Sequence, residues 1–329
     1  PATTASTTLK TQTTSTRRPH LAQKSSSMDP QQMSGGRFLL LVTGASRGFG
    51  RCVAEEFVRQ VAPANPVDLV LVARSETGLE SATDSLNDIA ASISAPGGVV
   101  VRKEPLNLAD LDHFEANLEG VFSRIDPTRY SRAVLVNNAG SLGHISFANE
   151  LPSLSSFRSE MDFNITSALW LSSRFTAIFG AKRPNPSPGN SGTLGESGAD
   201  VDKHGAITAA PASADMAHNV SNNIVVNISS LAALQPFESW GGYSSGKAAR
   251  DIRVLATEQA SIGGLKVLNY APGPMNTDMS REIRSADQFE EEVQSGKLID
   301  ARVSAAKCVR LALHGTFASG SHVDFFDED

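Results

Sequence analysis

The sequence predicts an α/β fold, a single doubly wound parallel sheet flanked by helices on both faces. Short apolar, β-branched runs recur along the chain and alternate with segments of helical periodicity, as parallel strands and their crossover helices do. A glycine-rich turn follows the first apolar run and opens a helix. Small and polar residues stand where later runs end, which is the edge where open parallel sheets bind ligands.

The composition favours a globular protein that binds a small molecule. The chain has 329 residues, 40% of them hydrophobic and 19% charged, and a net charge of -6. Such a weak acidic charge does not favour nucleic acid as a partner, and no apolar run is long enough to cross a membrane. Two cysteines cannot form a disulfide framework and the seven histidines are scattered, so we expect a cytoplasmic protein without a metal site.

Two segments lack the apolar periodicity of the rest. Residues 1–36 are rich in Thr, Ser and Gln and are predicted to be a disordered tail, with mitochondrial targeting as a lesser alternative because of their basic bias. Residues at about 183–222 are dominated by Pro, Gly, Ser, Ala and Asp and are predicted to be a disordered insertion. The ordered domain therefore spans 37–329. The insertion directly precedes a strand, so it lies at the edge of the sheet away from the ligand.

The first predicted strand, Phe38–Val42, leads directly into the glycine-rich turn Thr43–Gly50 and a helix. Gly44 permits the tight turn. Gly48 and Gly50 let a diphosphate approach the backbone and the helix N-terminus, whose dipole favours anions. In this order, strand, turn and helix predict a dinucleotide site.

The second predicted strand, Val67–Ala73, ends at Arg74, near the position where an acidic residue would bind the ribose hydroxyls. Arg47 in the glycine-rich turn offers a second guanidinium. Two arginines converging on a 2′-phosphate favour NADPH over NADH. The competing interpretation of Arg74 is a solvated surface charge.

The next two predicted strands, Val99–Val101 and Ala133–Val136, lead to the rest of the cofactor site. Asn107 and Leu108 follow the first of them and would meet the adenine. Asn137–Gly140 follows the second, and its small and amide residues would let the nicotinamide ribose approach the backbone. A simple Asn-rich turn is the competing interpretation.

The fifth predicted strand, Val225–Ile228, is followed by a helix in which Tyr243 and Lys247 share one face. An ammonium beside a phenol favours the phenolate, so we expect a lowered pKa for Tyr243 and a usable general acid. A serine hydroxyl at the strand end, from Ser229 or Ser230, could hold a substrate carbonyl in line with that phenol. The alternative is that Tyr243 and Lys247 are an ordinary exposed side-chain pair on a helix. This alternative is disfavoured because the chain also supplies a cofactor site.

A helix predicted at about 153–182 contains Asn164, an amide among apolar neighbours. A buried amide needs a partner, and we expect a bound water or a backbone group next to Lys247.

The sixth predicted strand, Lys266–Tyr270, ends in a turn at the carboxyl edge of the sheet. The polar segment at about 276–298 suits a lid over cofactor and substrate. A helix at 300–314 and a short strand at about 321–326 complete the chain. Asp324 in that strand either reaches the pocket or is a solvated terminal charge.

Taken in order, the glycine turn, Asn-Asn-Ala-Gly, Ser, Tyr-x-x-x-Lys and Pro-Gly resemble the short-chain dehydrogenase/reductases, from about Arg37 to the C-terminus without the insertion. The resemblance implies a Rossmann-type sheet and a catalytic tetrad, and the family spacing of serine and tyrosine selects Ser230 over Ser229. Asn107 departs from the family, which usually has Asp there, but an amide still offers adenine an acceptor. The implied tetrad is Asn164, Ser230, Tyr243 and Lys247. The implied NADP(H)-binding residues are Gly44, Ser46, Arg47, Gly48, Phe49, Gly50, Arg74, Asn107, Leu108, Asn138, Ala139, Gly140, Tyr243, Lys247, Pro272, Gly273, Met275 and Thr277.

Within that family the chain resembles the sepiapterin reductases, over the stretches Asn227–Phe237, Gly246–Asp251, Leu268–Pro274 and His322–Phe325. In those enzymes the aspartate that matches Asp324 anchors the amino-pyrimidine ring of the pterin. The implied substrate-binding residues are Ser230, Tyr243 and Asp324.

The resemblance implies NADPH-dependent reduction of the side-chain ketones of a pterin. It also implies a homodimer, joined through the helices at about 155–182 and 241–260. A benzil-type diketone or general carbonyl reductase is the alternative among enzymes. A non-catalytic NADPH-binding regulatory protein is a further alternative, against which the intact Ser-Tyr-Lys set argues.

Overall fold

The computed structural model describes residues 36–95, 97–181, 200–201, 207–208, 222–235, 237–251, 253–260, 263–284 and 298–328. The strands in these ranges are β1 Arg37–Thr43, β2 Val67–Ala73, β3 Val99–Pro105, β4 Tyr130–Asn137, β5 Asp200–Val201, β6 Ile207–Thr208, β7 Ile224–Ile228, β8 Lys266–Ala271 and β9 His322–Asp324. The α-helices are α1 Gly48–Val61, α2 Glu76–Ser92, α3 Leu111–Phe122, α4 Leu154–Met161, α5 Ser167–Phe179, α6 Gly241–Arg250, α7 Arg253–Ala260, α8 Asp278–Arg284 and α9 Ala301–His314.

Seven of the strands form one parallel sheet in the order β3-β2-β1-β4-β7-β8-β9. The chain therefore winds outward from β1 in one direction and then outward from β4 in the other, which confirms the predicted doubly wound topology. The order reverses between β1 and β4, and a crevice for a ligand opens at such a switch point, beyond the carboxyl ends of the strands. The loops after β1 and β4 are the predicted glycine-rich turn and Asn137–Gly140.

The alternating side chains of the strands build one core on each face of the sheet. Leu40 and Val42 of β1 belong to the core that includes residues of α1, α2 and α9. Leu39 and Leu41 point the other way, into the core shared with α3, α5 and α7. Because strand side chains alternate and both faces are covered, every residue from 38 to 42 is apolar and buried.

The structure differs from the sequence prediction where one long helix was expected at about 153–182. The chain forms α4 and α5 there, joined by a π-helical turn at Asp162–Thr166. Such a turn widens the hydrogen-bond ladder locally while the chain stays helical from Leu154 to Phe179. The turn contains Asn164, so the irregularity lies at a predicted site residue.

Three predicted segments are described only in part. Residues 1–35 of the predicted tail lie outside the described residues. The predicted insertion contributes the antiparallel pair of β5 and β6, which the composition did not indicate. The predicted lid at about 276–298 includes α8, and its residues 285–297 are also outside the described ranges. Within those ranges, no helix combines the length and apolar character that crossing a membrane requires.

Candidate active site

The loops after β1 and β4 are joined by Asn138 and Thr43. Asn138 Nδ2 donates to the Thr43 carbonyl at 2.8 Å, and the backbone N–H groups of Asn138 and Ala139 each donate to Thr43 Oγ1 at 3.0 Å. Gly44 has φ +68°, and a Cβ there would lie 2.7 Å from Asn138 Nδ2. The predicted tight turn at Gly44 is therefore confirmed, together with a physical reason for glycine.

The structure assigns Gly50 a different role from the predicted one. A Cβ at Gly50 would lie 2.5 Å from the Gly44 carbonyl oxygen, inside the turn itself. This glycine is needed for close packing of α1 against the strand end. Gly48 is the position left open to a ligand, since nothing lies within 4 Å of where its Cβ would be.

The space in front of α1 fits the diphosphate of a dinucleotide. Gly48 begins a helix of 14 residues, whose first N–H groups favour an anion. Ser46 lies half-buried in the same turn, and Phe49 is buried beneath it. The residues that would hold the diphosphate, Gly44 to Gly50, therefore stand together at the switch point of the sheet.

Both arginines predicted to bind a 2′-phosphate are exposed. Arg74 follows β2 and is exposed, with no ion pair or hydrogen bond to any residue that the structure describes. Arg47 is 70% exposed and donates from Nη1 to Asp278 Oδ2 of α8 at 2.8 Å. The arginine of the glycine-rich turn is thus tied to Asp278, within the predicted lid, a partner that the sequence did not indicate.

The residues predicted to meet the adenine follow β3. Leu108 is buried, and Asn107 is exposed with its Oδ1 accepting the N–H of Ala109 at 3.2 Å. An amide oxygen has two lone pairs, so Asn107 retains acceptor capacity for an adenine edge.

Three of the side chains predicted to be catalytic meet at the carboxyl end of β7. Tyr243 and Lys247 of α6 are both buried, and Lys247 Nζ lies 5.4 Å from the centroid of the Tyr243 ring. Lys247 Nζ donates to the carbonyl of Ile228 at 2.8 Å, which fixes α6 against the strand end. The Ser230 hydroxyl is hydrogen-bonded to the phenol of Tyr243. The hydroxyl of Ser229, by contrast, is buried without a hydrogen-bond partner among the described residues.

The expected lowering of the Tyr243 pKa is not what the structure gives. Burial raises the pKa of the Tyr243 phenol, and it outweighs the hydrogen bond from Ser230 and the charge of Arg250, which lower that pKa. Burial, followed by the charge of Arg250, holds the pKa of Lys247 well below its usual range. The prediction counted the ammonium and omitted desolvation, which dominates because both side chains are buried.

Asn164 pairs with backbone groups, one of the two partners expected for it. Its Oδ1 accepts the N–H of Ser141 at 2.9 Å, and its Nδ2 donates to the Ser141 carbonyl at 3.1 Å. A Cβ at Gly246, next to Lys247, would lie 3.5 Å from Asn164 Cβ. The amide therefore holds the loop after β4 against α6 and is not itself free to coordinate a substrate.

The Pro-Gly turn follows β8 at the same edge of the sheet. The Pro272 carbonyl accepts from Ser304 Oγ at 2.9 Å, and Gly273 has φ +74°. Met275 pairs with Ile299 in an isolated bridge, and Thr277 immediately precedes α8. Asp278, the next residue, pairs with Arg47, so this segment lies beside the glycine-rich turn.

Asp324 lies at the carboxyl end of β9 and is partly exposed. It pairs in register with Ala271, one residue beyond the level at which Tyr270 pairs with Ile228. Its Oδ1 accepts the N–H of Phe326 at 3.0 Å. The carboxylate thus lies at the same sheet edge as Ser230, two strands away.

Sequence reasoning missed three features of this site. The amides of Asn137, Asn227 and Asn269 form a buried hydrogen-bonded ladder across β4, β7 and β8. Trp240 packs edge-to-face on Tyr243, with ring centroids 5.3 Å apart. Arg250 is buried behind Lys247. One asparagine near the end of each of three apolar strands was the pattern that could have revealed the ladder.

Within the described ranges, no cluster of three or more His, Cys, Asp or Glu residues could hold a metal ion. Hydroxyl, amine and amide groups line the crevice that fits a dinucleotide.

The profile of the family described as short chain dehydrogenase matches residues 39–184 and 199–288. The chain belongs to this family, and it is an NADP(H)-dependent oxidoreductase. Among its curated relatives is sepiapterin reductase of Rattus norvegicus, 36% identical over 313 residues that cover 90% of this chain and all of the relative. Sepiapterin reductase of Bos taurus is 33% identical, over 89% of this chain and 96% of the relative.

More distant relatives share the fold. Benzil reductase ((S)-benzoin forming) of Bacillus subtilis (strain 168) is 25% identical over 76% of this chain and 79% of its own length. The crystal structure of levodione reductase superposes with a TM-score of 0.61 at 20% identity, over 88% of this chain and 95% of that one. At that identity the likeness to levodione reductase concerns the fold alone.

Proposed function

We propose that this protein is an NADPH-dependent carbonyl reductase that reduces the side-chain ketones of a pterin. The observation that carries the proposal is the hydrogen bond between Ser230 and the Tyr243 phenol, with Lys247 behind them at the end of β7. This is the arrangement that a ketone reduction requires, since a carbonyl oxygen must be held and protonated at one point. Similarity to sepiapterin reductases over nine-tenths of the chain supports the choice of a pterin.

Each side chain has a role that follows from its position. Bound NADPH would supply the hydride. Ser230 holds the carbonyl oxygen, and Tyr243 donates the proton to it. Lys247 keeps two N–H donors beyond its bond to Ile228, and these are available to the nicotinamide ribose and to a water that returns protons. Asn164 keeps the loop after β4 in place through Ser141.

Asp324 supports the pterin in particular. Two strand spacings separate the ends of β7 and β9, about 10 Å at the usual distance between strands. A pterin ring with a short side chain bridges that distance, with its ketone at Tyr243 and its amino-pyrimidine edge at the carboxylate. An amidine-like edge donates two hydrogen bonds, which a carboxylate accepts well.

The substrate would lie against an apolar wall. Leu142, Trp240 and Tyr243 form one buried cluster, against which Ile145 and Met279 pack. An aromatic diketone also fits such a wall, and the relationship to a benzil reductase keeps that substrate class as the second candidate. The two candidates differ at Asp324, which an uncharged diketone does not need.

The proposed assembly is a homodimer through α5, α6 and α7. A depression of about 530 Å³ on this face is lined by Leu169, Ala233, Leu234, Ala248, Ala249, Asp251 and Val254. Val254 is 69% exposed. Leu234 and Trp170, the residue after Leu169, are also exposed. Exposed apolar side chains on two neighbouring helices suit a self-complementary contact.

NADPH oxidation with sepiapterin and with benzil, by the wild type and Asp324→Asn, tests the proposal. Asparagine keeps the Oδ1 that accepts from Phe326 N–H, so the turn survives while the charge is lost. We expect sepiapterin turnover by the wild type and a loss of about 100-fold in kcat/KM in the variant, with benzil turnover unchanged. Glu328→Gln, at an exposed carboxylate near the terminus, is the matched control. Benzil turnover that exceeds sepiapterin turnover and ignores the substitution would contradict a pterin substrate.

A further inference from the structure

Arg250 is a buried charge that none of the roles above uses. It is the last residue of α6 and is 1% exposed. Tyr243, Lys247 and Arg250 are spaced by four and three residues, so all three lie on one face of the helix. A guanidinium is rarely buried so completely without an acidic partner in direct contact. Arg250 also lies on the same helix face as Tyr243 and Lys247, so its burial needs a physical explanation.

The guanidinium fills the space beneath the loop after β4. Its Nη2 donates to the carbonyl of Asn137 at 3.0 Å, while Nε and Nη1 have no hydrogen-bond partner among the described residues. A Cβ at Gly140 would lie 2.9 Å from Arg250 Nη1 and 3.2 Å from Asn164 Oδ1. Arg250 therefore reaches the beginning and the end of Asn137–Gly140, the segment proposed to meet the nicotinamide ribose.

Arg250 stays positively charged at neutral pH among the groups that face it. Tyr243 and Lys247 of α6, and Asp251 directly after the helix, interact electrostatically with this cluster. Burial lowers the pKa of Arg250 to about 10, which still leaves the side chain protonated at neutral pH. Burial and the charge of Arg250 hold the pKa of Lys247 well below its usual range.

Two contacts between a carboxylate and a histidine belong to the same surroundings. Asp251 Oδ2 lies 2.8 Å from His322 Nδ1, which β9 contributes, and both side chains are buried. Glu160 of α4 contacts His144 and approaches Gly242, the residue before Tyr243. In the described part of the chain neither carboxylate forms an ion pair with Arg250, so the charge of the guanidinium is only partly offset.

We propose that Arg250 is a positioning residue of this reductase site, whose buried charge stabilises the phenolate of Tyr243 and whose Nη2 fixes the Asn137 carbonyl at the head of the cofactor loop. The inference rests on the proposed roles of Tyr243 and Lys247. It adds Arg250 as a second cation beside Lys247, to which the sequence pattern assigned the electrostatic role alone.

The pH dependence of kcat separates this role from a purely structural one. Tyr243 must be protonated to donate a proton, so kcat for ketone reduction falls as pH rises through the apparent pKa of the Tyr243–Lys247 pair. Removing a positive charge raises the pKa of both groups. The alkaline limb of the profile therefore moves to higher pH whichever group titrates first.

The experiment uses Arg250→Gln and Arg250→Met, which remove the charge, and Arg250→Lys, which keeps it. With NADPH and sepiapterin, we expect the alkaline limb to rise by about one pH unit in the two neutral variants and to stay in place in Arg250→Lys. Arg132→Met is the matched control, because Arg132 is also buried and donates to a backbone carbonyl, that of Leu313 at 2.5 Å. It should lower stability and leave the limb in place.

Folded neutral variants with an unmoved limb would overturn the inference. If neither neutral variant folds, Asp251→Asn changes the charge in the opposite direction without emptying the space of the guanidinium. The limb then moves to lower pH, and an unmoved limb overturns the inference as well. Tyr243→Phe separates the proposed function from the role of Arg250. Turnover that survives in Tyr243→Phe refutes the proposed function. Loss of that turnover, together with an unmoved alkaline limb in the Arg250 variants, refutes only the role of Arg250.

Discussion

The side-chain amide of Asn137 donates a 2.9 Å hydrogen bond to Oδ1 of Asn227 on the neighbouring strand. Asn227 donates in turn to Asn269 Oδ1 at 3.0 Å, and Asn269 donates to the carbonyl of Gly320 at 3.1 Å. All three amides are at most 1% exposed. Because a buried amide without a partner is expensive, this ladder holds the carboxyl ends of β4, β7 and β8 in one register beneath the catalytic residues.

Replacing the central amide should therefore destabilise the fold strongly. Asn227→Leu fills a similar volume but leaves Asn137 Nδ2 with one partner fewer and Asn269 Oδ1 without its donor. We expect a loss of about 3 kcal/mol in the free energy of unfolding, measured by urea denaturation. Asn87→Leu, on the exposed face of α2, should change it by less than about 0.5 kcal/mol. Equal effects at both positions would contradict the importance of the ladder.

The stability should fall at alkaline pH through Cys308. Burial raises the pKa of this thiol above its value in the unfolded chain. The unfolded state then loses its proton first as pH rises, so the thiol contributes stability below about pH 8.5 that is lost progressively above it.

The corresponding variant is Cys308→Ala. It loses some packing at every pH, but the fall in unfolding free energy between about pH 7 and pH 10 should be smaller than in the wild type by about 2 kcal/mol. Cys52→Ala, at a partly buried thiol, should recover less of that fall. An identical fall in Cys308→Ala and the wild type would show that this thiol does not contribute.

The sequence predicted the strands well because each is a compact apolar run that must be buried on both faces. Predicted and observed bounds of β2 coincide, and those of β1 differ by one residue at each end. The glycine-rich turn and the Tyr-Lys pair were also visible, since local spacing fixes their geometry. These features depend on residues close together in the chain.

What the sequence could not predict depends on contacts between distant segments. Asn164 bonds to Ser141, 23 residues away, and Arg250 bonds to Asn137, 113 residues away. The direction of the Tyr243 pKa was wrong for the same reason. Charge spacing along a helix is local, whereas desolvation depends on everything that packs over the helix.

The phenol of Tyr243 should be required for turnover and not for cofactor binding. Tyr243→Phe keeps the ring that packs on Trp240 and removes only the hydroxyl bonded to Ser230. We expect kcat to fall at least about 1,000-fold while the Kd for NADPH, measured by fluorescence titration, changes less than about threefold. Ser244→Ala, one residue along α6, is a control that should retain turnover. Loss of cofactor binding in Tyr243→Phe would point to a structural role for the hydroxyl.

Arg47 and Arg74 should set the preference for NADPH, and Asp278 should moderate it. Both guanidiniums are exposed beside the turn, where a 2′-phosphate would lie, so Arg47→Met and Arg74→Met should each raise KM for NADPH about tenfold and leave KM for NADH unchanged. Asp278 holds Arg47 at 2.8 Å and also pairs with Arg281 at 2.6 Å. Its carboxylate competes with the phosphate for Arg47.

Asp278→Asn should therefore lower KM for NADPH by about two- to threefold at low ionic strength. In this variant Arg47 can bind the phosphate without first breaking an ion pair with a carboxylate. The gain should fade as salt is added, since an exposed pair and an exposed phosphate are both screened. In the double variant Arg47→Met/Asp278→Asn the gain should vanish. Arg158→Met, at an exposed arginine of α4, should leave both values of KM unchanged. A gain that persists without Arg47 would show that Asp278 acts on the cofactor through general repulsion and not through this ion pair.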